Sequence, residues 1–363
     1  MTTVGILFGG RSGEHPISIR SSHFVLESLD RSRFQPVLVG IDRAGGWHLL
    51  SEDEYWAIER EVGPAAGRPV VPVPRQGRCG LLDPRRPSAA LPELDLVFPV
   101  LHGPYGEDGT VQGLLDTFDV PYVGVGVLAA AICMDKDVCK RLLRDAGIGV
   151  VPWLAITARE WAADREGVRR AARALGHPLF VKPANLGSSL GVTRVSEDAA
   201  ATVDAALAAA LALDAKVLVV RGIDGREIEC AVLGNDDPVA SIPGEIVPAR
   251  PSTPTRTSTP PTAWRRRIPA VLDAATTARV RDLAVRAYRV LECSGMARVD
   301  FFLERGSGAL YVNELNTIPG FTSISMYPKM WEASGLPGAA LVTRLLELAQ
   351  ERCAARRQRA RAS

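Results

Sequence analysis

The segment Met296–Phe321, MARVDFFLERGSGALYVNELNTIPGF, decides how the chain is read. It predicts two short apolar strands, Ala297–Leu303 and Ala309–Glu314, joined by a glycine-containing hairpin loop at Glu304–Gly308. Polar side chains interrupt strands otherwise suited to burial: Arg298 and Asp300 on the first, Glu314 and Asn316 at the end of the second. Strand side chains alternate between faces, so Arg298 shares a face with Asp300, and Glu314 with Asn316. Three convergent oxygen donors suit a hard divalent ion such as Mg²⁺, which keeps part of its shell for water and phosphate oxygens. Without a cation such carboxylates are costly to bury. The competing reading is a hairpin whose acids simply pair with Arg298 or Lys329.

Outward from this segment, 363 residues imply two or three domains. An apolar content of 47% supports a folded core, and a net charge of +2 argues against a dedicated nucleic-acid surface. Of 43 basic residues only five are lysines (Lys136, Lys140, Lys182, Lys216 and Lys329), so each lysine carries information. The six cysteines are scattered without zinc-ligand spacing and read as buried reduced thiols. The N-terminus lacks the basic and apolar regions of a signal peptide, and the apolar segment Ala199–Val220 is broken by Asp204, Asp214 and Lys216. No membrane span is expected, and the expected compartment is the cytoplasm.

In chain order, the apolar run Val4–Phe8 leads into GGRSGEH and a helical stretch at about Ser18–Leu29, the strand–turn–helix arrangement that offers backbone N–H groups to an anion. Strands are also predicted at Pro36–Ile41 and Leu94–Val100, the latter running into the loop LHGPYGEDG; such a loop after a buried strand is where open α/β sheets bind ligands. A lone His102 in that loop reads as structural. Residues 60–92, rich in Pro, Gly and Arg, read as an irregular surface excursion. An amphipathic helix at Ile132–Ala146 precedes a domain boundary. In PLFVKPANLGSSLGVTRV (178–195), Lys182 faces a Gly/Ser loop across a hairpin, a pairing suited to a nucleotide phosphate; the alternative is a snorkelling lysine at a flexible tip. Val217–Val220 and Glu227–Leu233 read as a strand pair with Glu227 and Glu229 on one face, either toward a ribose or toward solvent. Residues 249–267, ARPSTPTRTSTPPTAWRRR, have no periodicity and read as a mobile loop. A helix is expected at about Leu272–Leu291, and another at Leu336–Ala360 whose arginines (352, 356, 357, 359, 361) read as a solvated end.

Together the motifs GGRSGEH, LHGPYGEDGTVQG, MDK, VKPANLGSSLGV, GREIECAVLGN, PGEIVP, ARVDFF and NELNTIPGFTSISMYP, in this order, closely resemble the D-alanine–D-alanine ligase family of the ATP-grasp superfamily, from about Val4 to Leu348. The resemblance implies an α/β and α+β fold of three domains: an N-terminal open parallel α/β domain (1–127), a central ATP-grasp lobe (128–215) and a C-terminal lobe (216–363) with a lid at 249–267. It implies that Lys136 and Lys182 hold the ATP phosphates and Glu227 the ribose, with Gly187, Ser188, Ser189 and Asn313 also on the nucleotide. Asp300, Glu314 and Asn316 would bind two magnesium ions, with manganese as a substitute. Glu14 and Ser188 would orient the first D-alanine, with His102 nearby. Arg298 and the Gly320 amide would stabilise the oxyanion, and Ser325 and Met326 would seat the carboxylate of the second D-alanine. A homodimer is the family-level expectation.

Two positions depart from the family pattern. Val220 stands where a Glu is usual, and after PGEIVP the family's FYDYEAKY-like run, with its Lys and Tyr, is replaced by ARPSTPTRTSTPP. Read one base out of frame, Ser252–Thr259 decodes to Phe-Tyr-x-Tyr-Glu-x-Lys-Tyr. One hypothesis is therefore a compensated frameshift over about residues 250–262; the other is a true divergence, in a ligase with a rewritten lid or in an ATP-binding homologue without activity. Resequencing the DNA of that stretch is expected to reveal two offsetting length changes, and an intact frame removes the first hypothesis.

Overall fold

Val4, Ile6, Leu7 and Phe8 are fully buried, as a continuous apolar run requires when both faces of a strand are covered. They form β1 (Thr2–Gly9), followed by α1 (His15–Glu27), β2 (Phe34–Ile41), β3 (Trp47–Leu50), α2 (Glu52–Trp56), β4 (Arg68–Arg75), β5 (Arg78–Leu82), β6 (Glu93–Leu94), β7 (Leu96–Pro99) and α3 (Thr110–Thr117). These strands make one sheet in the order β6-β5-β4-β3-β2-β1-β7. Only the β2-β1-β7 part is parallel; β3 to β6 add antiparallel strands, so the sheet is mixed rather than parallel throughout. The expectation of an irregular excursion at 60–92 is thereby corrected. The prolines of RPVVPVPR do not break β4, which pairs with β3 and β5 while Val70, Cys79 and Leu81 enter the core.

This computed structural model describes residues 1–188, 190–196, 200–248 and 264–362. After the first sheet come α4 (Val127–Met134), α5 (Lys136–Asp145), β8 (Trp153–Thr157), α6 (Ala158–Ala163), α7 (Arg165–Ala174), β9 (Leu179–Pro183), β10 (Thr193–Val195), α8 (Ala200–Leu211) and β11 (Lys216–Arg221). The single helix expected at 132–146 is two, because the Asp135 carboxylate accepts from the N–H groups of Asp137 and Val138 and starts a new helix there. The second sheet has the order β10-β9-β11-β8.

The last unit contains β12 (Gly225–Gly234), β13 (Val239–Ala240), β14 (Gly244–Pro248), β15 (Trp264–Arg267), α9 (Ala274–Val290), β16 (Gly295–Glu304), β17 (Leu310–Asn316), α10 (Met326–Ala333) and α11 (Gly338–Ala362). Its sheet runs β15-β14-β12-β16-β17, with β13 on β12. The strand pair expected between 217–220 and 227–233 is not formed: β11 joins β8 and β9, whereas β12 joins the third sheet. Reading two neighbouring apolar runs as a hairpin overlooked the crossing from one sheet to the next. At the predicted loop 249–267, residues 249–263 lie outside the described residues, and Trp264–Arg267 is a strand on β14. Among the described residues no helix is long and apolar enough to cross a membrane.

Helix α11 ties the ends of the chain together. Leu341, Leu345 and Leu346 share a buried cluster with Ile6, Phe8 and Phe98 of the first sheet. Its arginines are not all solvated, contrary to the expectation from composition. Arg352 lies over the Tyr122 ring at 4.4 Å and donates to Tyr122 O at 3.0 Å, Ser294 Oγ at 2.7 Å and the Gly124 carbonyl. Arg356 and Arg357 both reach Asp119, at 2.9 and 2.8 Å. Only the far end follows the reading from sequence, with Arg359 and Arg361 exposed. Removing Arg352 leaves buried carbonyls without a charged donor, so Arg352→Ala is expected to cost about 2 kcal/mol or more of stability in urea unfolding. Arg359→Ala should stay within about 0.5 kcal/mol of the parent. Equal midpoints for the two variants would mean that the α11 clasp contributes nothing.

Candidate active site

The predicted hairpin is present: β16 and β17 pair antiparallel with Arg298 opposite Asn316 and Asp300 opposite Glu314. A register shift after Asp300 leaves Asn313 as the extra residue of a β-bulge, and Asn313 lines the cleft beside the pair. On the other side of β16, β12 sets Glu229 opposite Asp300 and Ala231 opposite Arg298. Three adjacent strands therefore carry the row Glu229–Asp300–Glu314 on one face, directly beside Arg298. The Arg298 guanidinium donates from Nε and Nη2 to the two Asp300 oxygens, both at 2.7 Å, and Nε lies 3.2 Å from Glu229 Oε2. Asn316 Nδ2 donates to Asp300 Oδ2 at 2.9 Å. Lys329, the other candidate partner for these acids, pairs instead with Glu332.

The row faces a cleft of about 390 Å³ between the second and third sheets. Lys136, Lys182, Gly187, Ser188, Glu227, Asn313, Asp300, Glu314 and Asn316 all line it. Ser189 lies outside the described residues. Lys136 is the first residue of α5; its Nζ donates to Leu186 O at 2.7 Å and its backbone N–H to Ala184 O at 3.1 Å, which fixes the glycine loop to the helix. Glu227 is exposed toward the cleft rather than on an outer sheet face. Val220, at the position where the resemblance leads to the expectation of a Glu, is buried in the cleft wall.

Charge in the cleft is unevenly compensated. Burial pushes the Glu229 carboxyl up to about 8; Arg298 opposes this, and Asp300 and Glu227 reinforce it. Burial also raises Glu227, again with help from Asp300 and Glu314. Burial acts on Glu314 in the same direction, but Lys136 and Lys182 reverse it and hold that carboxyl below its usual range. Burial lowers Lys182, and burial works to lower Arg298 too, where the Asp300 and Glu229 carboxylates prevail and raise it. An all-oxygen donor set with surplus acid, and a Glu229 Oε2 that lacks a hydrogen bond, fits a hard divalent cation. No group of three or more His, Cys, Asp or Glu stands in metal-holding geometry among the described residues; Asp300 instead holds Arg298.

The N-terminal unit closes one end. Glu14 is the N-cap residue of α1 but makes no capping bond with its side chain; instead it accepts from Ser188 Oγ across the gap between units. The carboxylate fits against glycines: a Cβ on Gly103 or Gly187 would stand 2.7 Å from Glu14 Oε2. Ser188 itself has φ 48°, a strained conformation for a residue with a side chain.

His102 is almost fully buried. Its Nδ1 donates to Ile318 O at 2.9 Å, so Nε2 accepts from Ser21 Oγ at 2.9 Å. Burial lowers its pKa, and the neutral ring joins the LHGPYGEDG loop to the NTIPGF loop rather than offering a free nitrogen. Gly320 and Ser325 lie on the latter loop, with Ser325 Oγ 2.7 Å from Thr322 Oγ1. The Met326 side chain is in the core, where a Cβ on Gly244 would stand 2.4 Å from its methyl, so Met326 can offer a ligand only its backbone at the start of α10.

Two acids were missed as site residues. Glu229 carries a period-two signal with Glu227 that could have found it. Glu107 sits in the GEDG motif; it accepts from Gly103 N at 2.8 Å and Ile318 N at 2.9 Å, again bridging the two loops at the cleft.

Against known proteins, residues 3–125 match the family D-ala D-ala ligase N-terminus and residues 142–347 match D-ala D-ala ligase C-terminus. The chain belongs to the D-alanine–D-alanine ligase family. It is 45% identical over 359 residues to D-alanine–D-alanine ligase A of Escherichia coli strain K12, covering 97% of this chain and 96% of that one. The solved D-alanine–D-alanine ligase of Coxiella burnetii superposes with a TM-score of 0.88 at 37% identity, covering 99% and 97% of the two chains. The VanG D-Ala:D-Ser ligase of Enterococcus faecalis gives 0.83 at 34% identity, covering 96% and 99%. The ATP-grasp fold expected from the motifs is the fold that these solved ligases and this chain share.

Burial pushes the Glu107 carboxyl up to about 7. The native state therefore keeps a proton that the unfolded chain loses near its ordinary value, so this residue's contribution to stability falls as pH rises between those values. Glu107→Gln cannot titrate. In urea unfolding its stability relative to the parent should improve from about pH 5 to about pH 8; a difference that stays flat would show that Glu107 is ionised throughout.

Proposed function

We propose that the cleft joins two D-alanines into D-alanyl-D-alanine with ATP as the consumed co-substrate, releasing ADP and phosphate, to supply peptidoglycan precursors. The observation that carries this reading is the convergence of Lys136, Lys182, Asp300, Glu314 and Asn316 on one cleft whose end is closed by Glu14 and Ser188.

A carboxylate is a poor acyl donor. The γ-phosphoryl group of ATP is first transferred to a carboxylate oxygen of one D-alanine, giving an acyl phosphate. The neutral amine of the second D-alanine then attacks the carbonyl carbon, phosphate leaves with the C–O bond pair, and the nitrogen gives up one proton, which phosphate or solvent takes. Lys136 and Lys182 hold the phosphates as compact point charges, and Glu227 takes the ribose, with Gly187, Ser188, Ser189 and Asn313 also on the nucleotide. Glu14, oriented by Ser188, accepts from the ammonium of the first D-alanine; His102 holds the loop beside it. Arg298 and the Gly320 N–H face the carbonyl oxygen as it gains charge. Ser325 and the Met326 backbone, at the start of α10, receive the second carboxylate. Two magnesium ions, for which manganese can substitute, fit Asp300, Glu314 and Asn316 and would supply neutralisation of phosphoryl charge. We place the enzyme in the cytoplasm, as a homodimer.

The test is D-alanine-dependent phosphate release from ATP by the chain as written, with the product identified by mass. Formation of D-alanyl-D-alanine is expected, and Asp300→Ala should abolish it. Normal Mg²⁺-dependent turnover by that variant would sink the metal assignment. A product formed only with D-serine or D-lactate would move the chain to a different second substrate. Nucleotide binding without release would put the fault at residues 250–262, where restoring FYDYEAKY at positions 252–259 separates a damaged ligase from a retired one.

A further inference from the structure

Lys140 has no role in the mechanism above, yet it is the most completely enclosed charge-bearing side chain near the cleft. It lies one helical turn after Lys136 on α5, has no exposed surface, and its Nζ has no hydrogen-bond partner. The amine is 5.8 Å from the centre of the Trp153 ring, whose other neighbours are Arg144, at 5.0 Å from the ring centre, and Asp137, which accepts from Trp153 Nε1 at 3.0 Å. The groups that act on it are Lys182 of β9, Cys139 and Lys136 of α5 and Glu314 of β17. Of these, Lys136 and Lys182 face the cleft as the phosphate-holding pair, while the Cys139 thiol is kept protonated by burial. An ammonium in this setting loses its hydration and gains only the face of the Trp153 ring, with no hydrogen bond in return, so the charged form is disfavoured. A lysine can escape that cost by giving up its proton; an arginine cannot.

We propose that Lys140 is a positioning residue whose charge follows the occupancy of the cleft: its amine is neutral when the cleft is empty and takes up a proton when a triphosphate is held by Lys136 and Lys182. Burial disfavours the ammonium most, and the positive potential of Lys182 and Lys136 adds to it; phosphate oxygens on those two lysines offset that added potential, so the third cation becomes tolerable once the anion has arrived. In the empty protein the cleft and its wall then hold two ammonium groups in place of three, which reduces their mutual repulsion. Burial lowers the Lys140 pKa to about 7, with Lys182 adding to the effect, which places the switch within the neutral range. This inference rests on the assignment of the triphosphate to Lys136 and Lys182.

Isothermal titration calorimetry of the full chain with Mg·AMP-PNP at about pH 7.5, in MOPS and in Tris, reads the number of protons exchanged on binding from the dependence of heat on buffer. Glu107 and Glu229 also titrate in this range, so the decisive quantity is the difference between wild type and variant. Wild type should take up roughly two-thirds of a proton more than Lys140→Met. Lys140→Arg, which is charged throughout, should bind nucleotide with the same deficit as Lys140→Met. A proton count equal to wild type in either variant overturns the proposal; if Lys140→Met does not fold, Lys140→Arg decides alone. Lys182→Met serves as the control for the site itself: it should weaken nucleotide binding at least about tenfold. Unchanged affinity in that variant would place the triphosphate elsewhere and remove both readings, whereas lost affinity together with an unchanged proton count in the Lys140 variants removes only this one.

Discussion

The cost of burying carboxylates on three adjacent strands governs the C-terminal half of the molecule. Glu229, Asp300 and Glu314 lie in one row, and Arg298 is the cation within that sheet that answers them. One guanidinium cannot satisfy three acids. Lys136 and Lys182 therefore approach Glu314 from α5 and β9, two elements outside the sheet, and Glu229 keeps its proton. The arrangement is stable only as a shared charge balance, which is why it sits between two sheets rather than inside one. Replacing the row by apolar residues would remove a large desolvation cost; its retention points to chemistry rather than to stability.

The N-terminal unit closes one end of the cleft that this row faces. Glu14 leaves its own helix uncapped and crosses to Ser188, and Glu107 and His102 hold the NTIPGF loop from below. The Phe321 ring then packs at 5.9 Å from both Phe24 and Phe98 and at 5.7 Å from Tyr327, so one aromatic residue joins α1, β7 and α10. Polar contacts fix the direction of the loops and the aromatic contacts fix their distance.

Local patterning carried much of this. Period-two alternation in β16 and β17 placed Arg298, Asp300, Glu314 and Asn316 on their faces, because register in a buried hairpin leaves side chains no other choice. The glycine loop after β9 was equally legible, since a lysine inside an apolar strand needs an anion or water to face. What composition concealed was partnership across long sequence distances. Arg352 reads as a solvated tail residue until Tyr122 and Gly124 are brought beneath it, and RPVVPVPR reads as irregular until β3 and β5 flank it. Assigning β11 to the second sheet likewise needed the tertiary structure, because nothing within Val217–Val220 distinguishes one neighbour from another.

The distribution of lysine makes a related argument. In a chain that uses arginine almost everywhere, Lys136, Lys140, Lys182 and Lys216 fall in or behind the cleft, and Lys329 is the surface exception. Lys216 bonds Asp135 at 2.8 Å, the residue that caps α5, and so holds the helix from which Lys136 and Lys140 project. Arginine is a poor substitute at these places for a physical reason: its planar fork is bulky, prefers bidentate partners and remains charged at any accessible pH. Lysine is a compact point charge that can be placed close to a second lysine and can shed its proton when a third cation would be too many. Under the proposed assignment, a pocket positive enough to hold a triphosphate, yet present without one, is well served by cations whose number can change. Composition drift toward arginine meets its limit there.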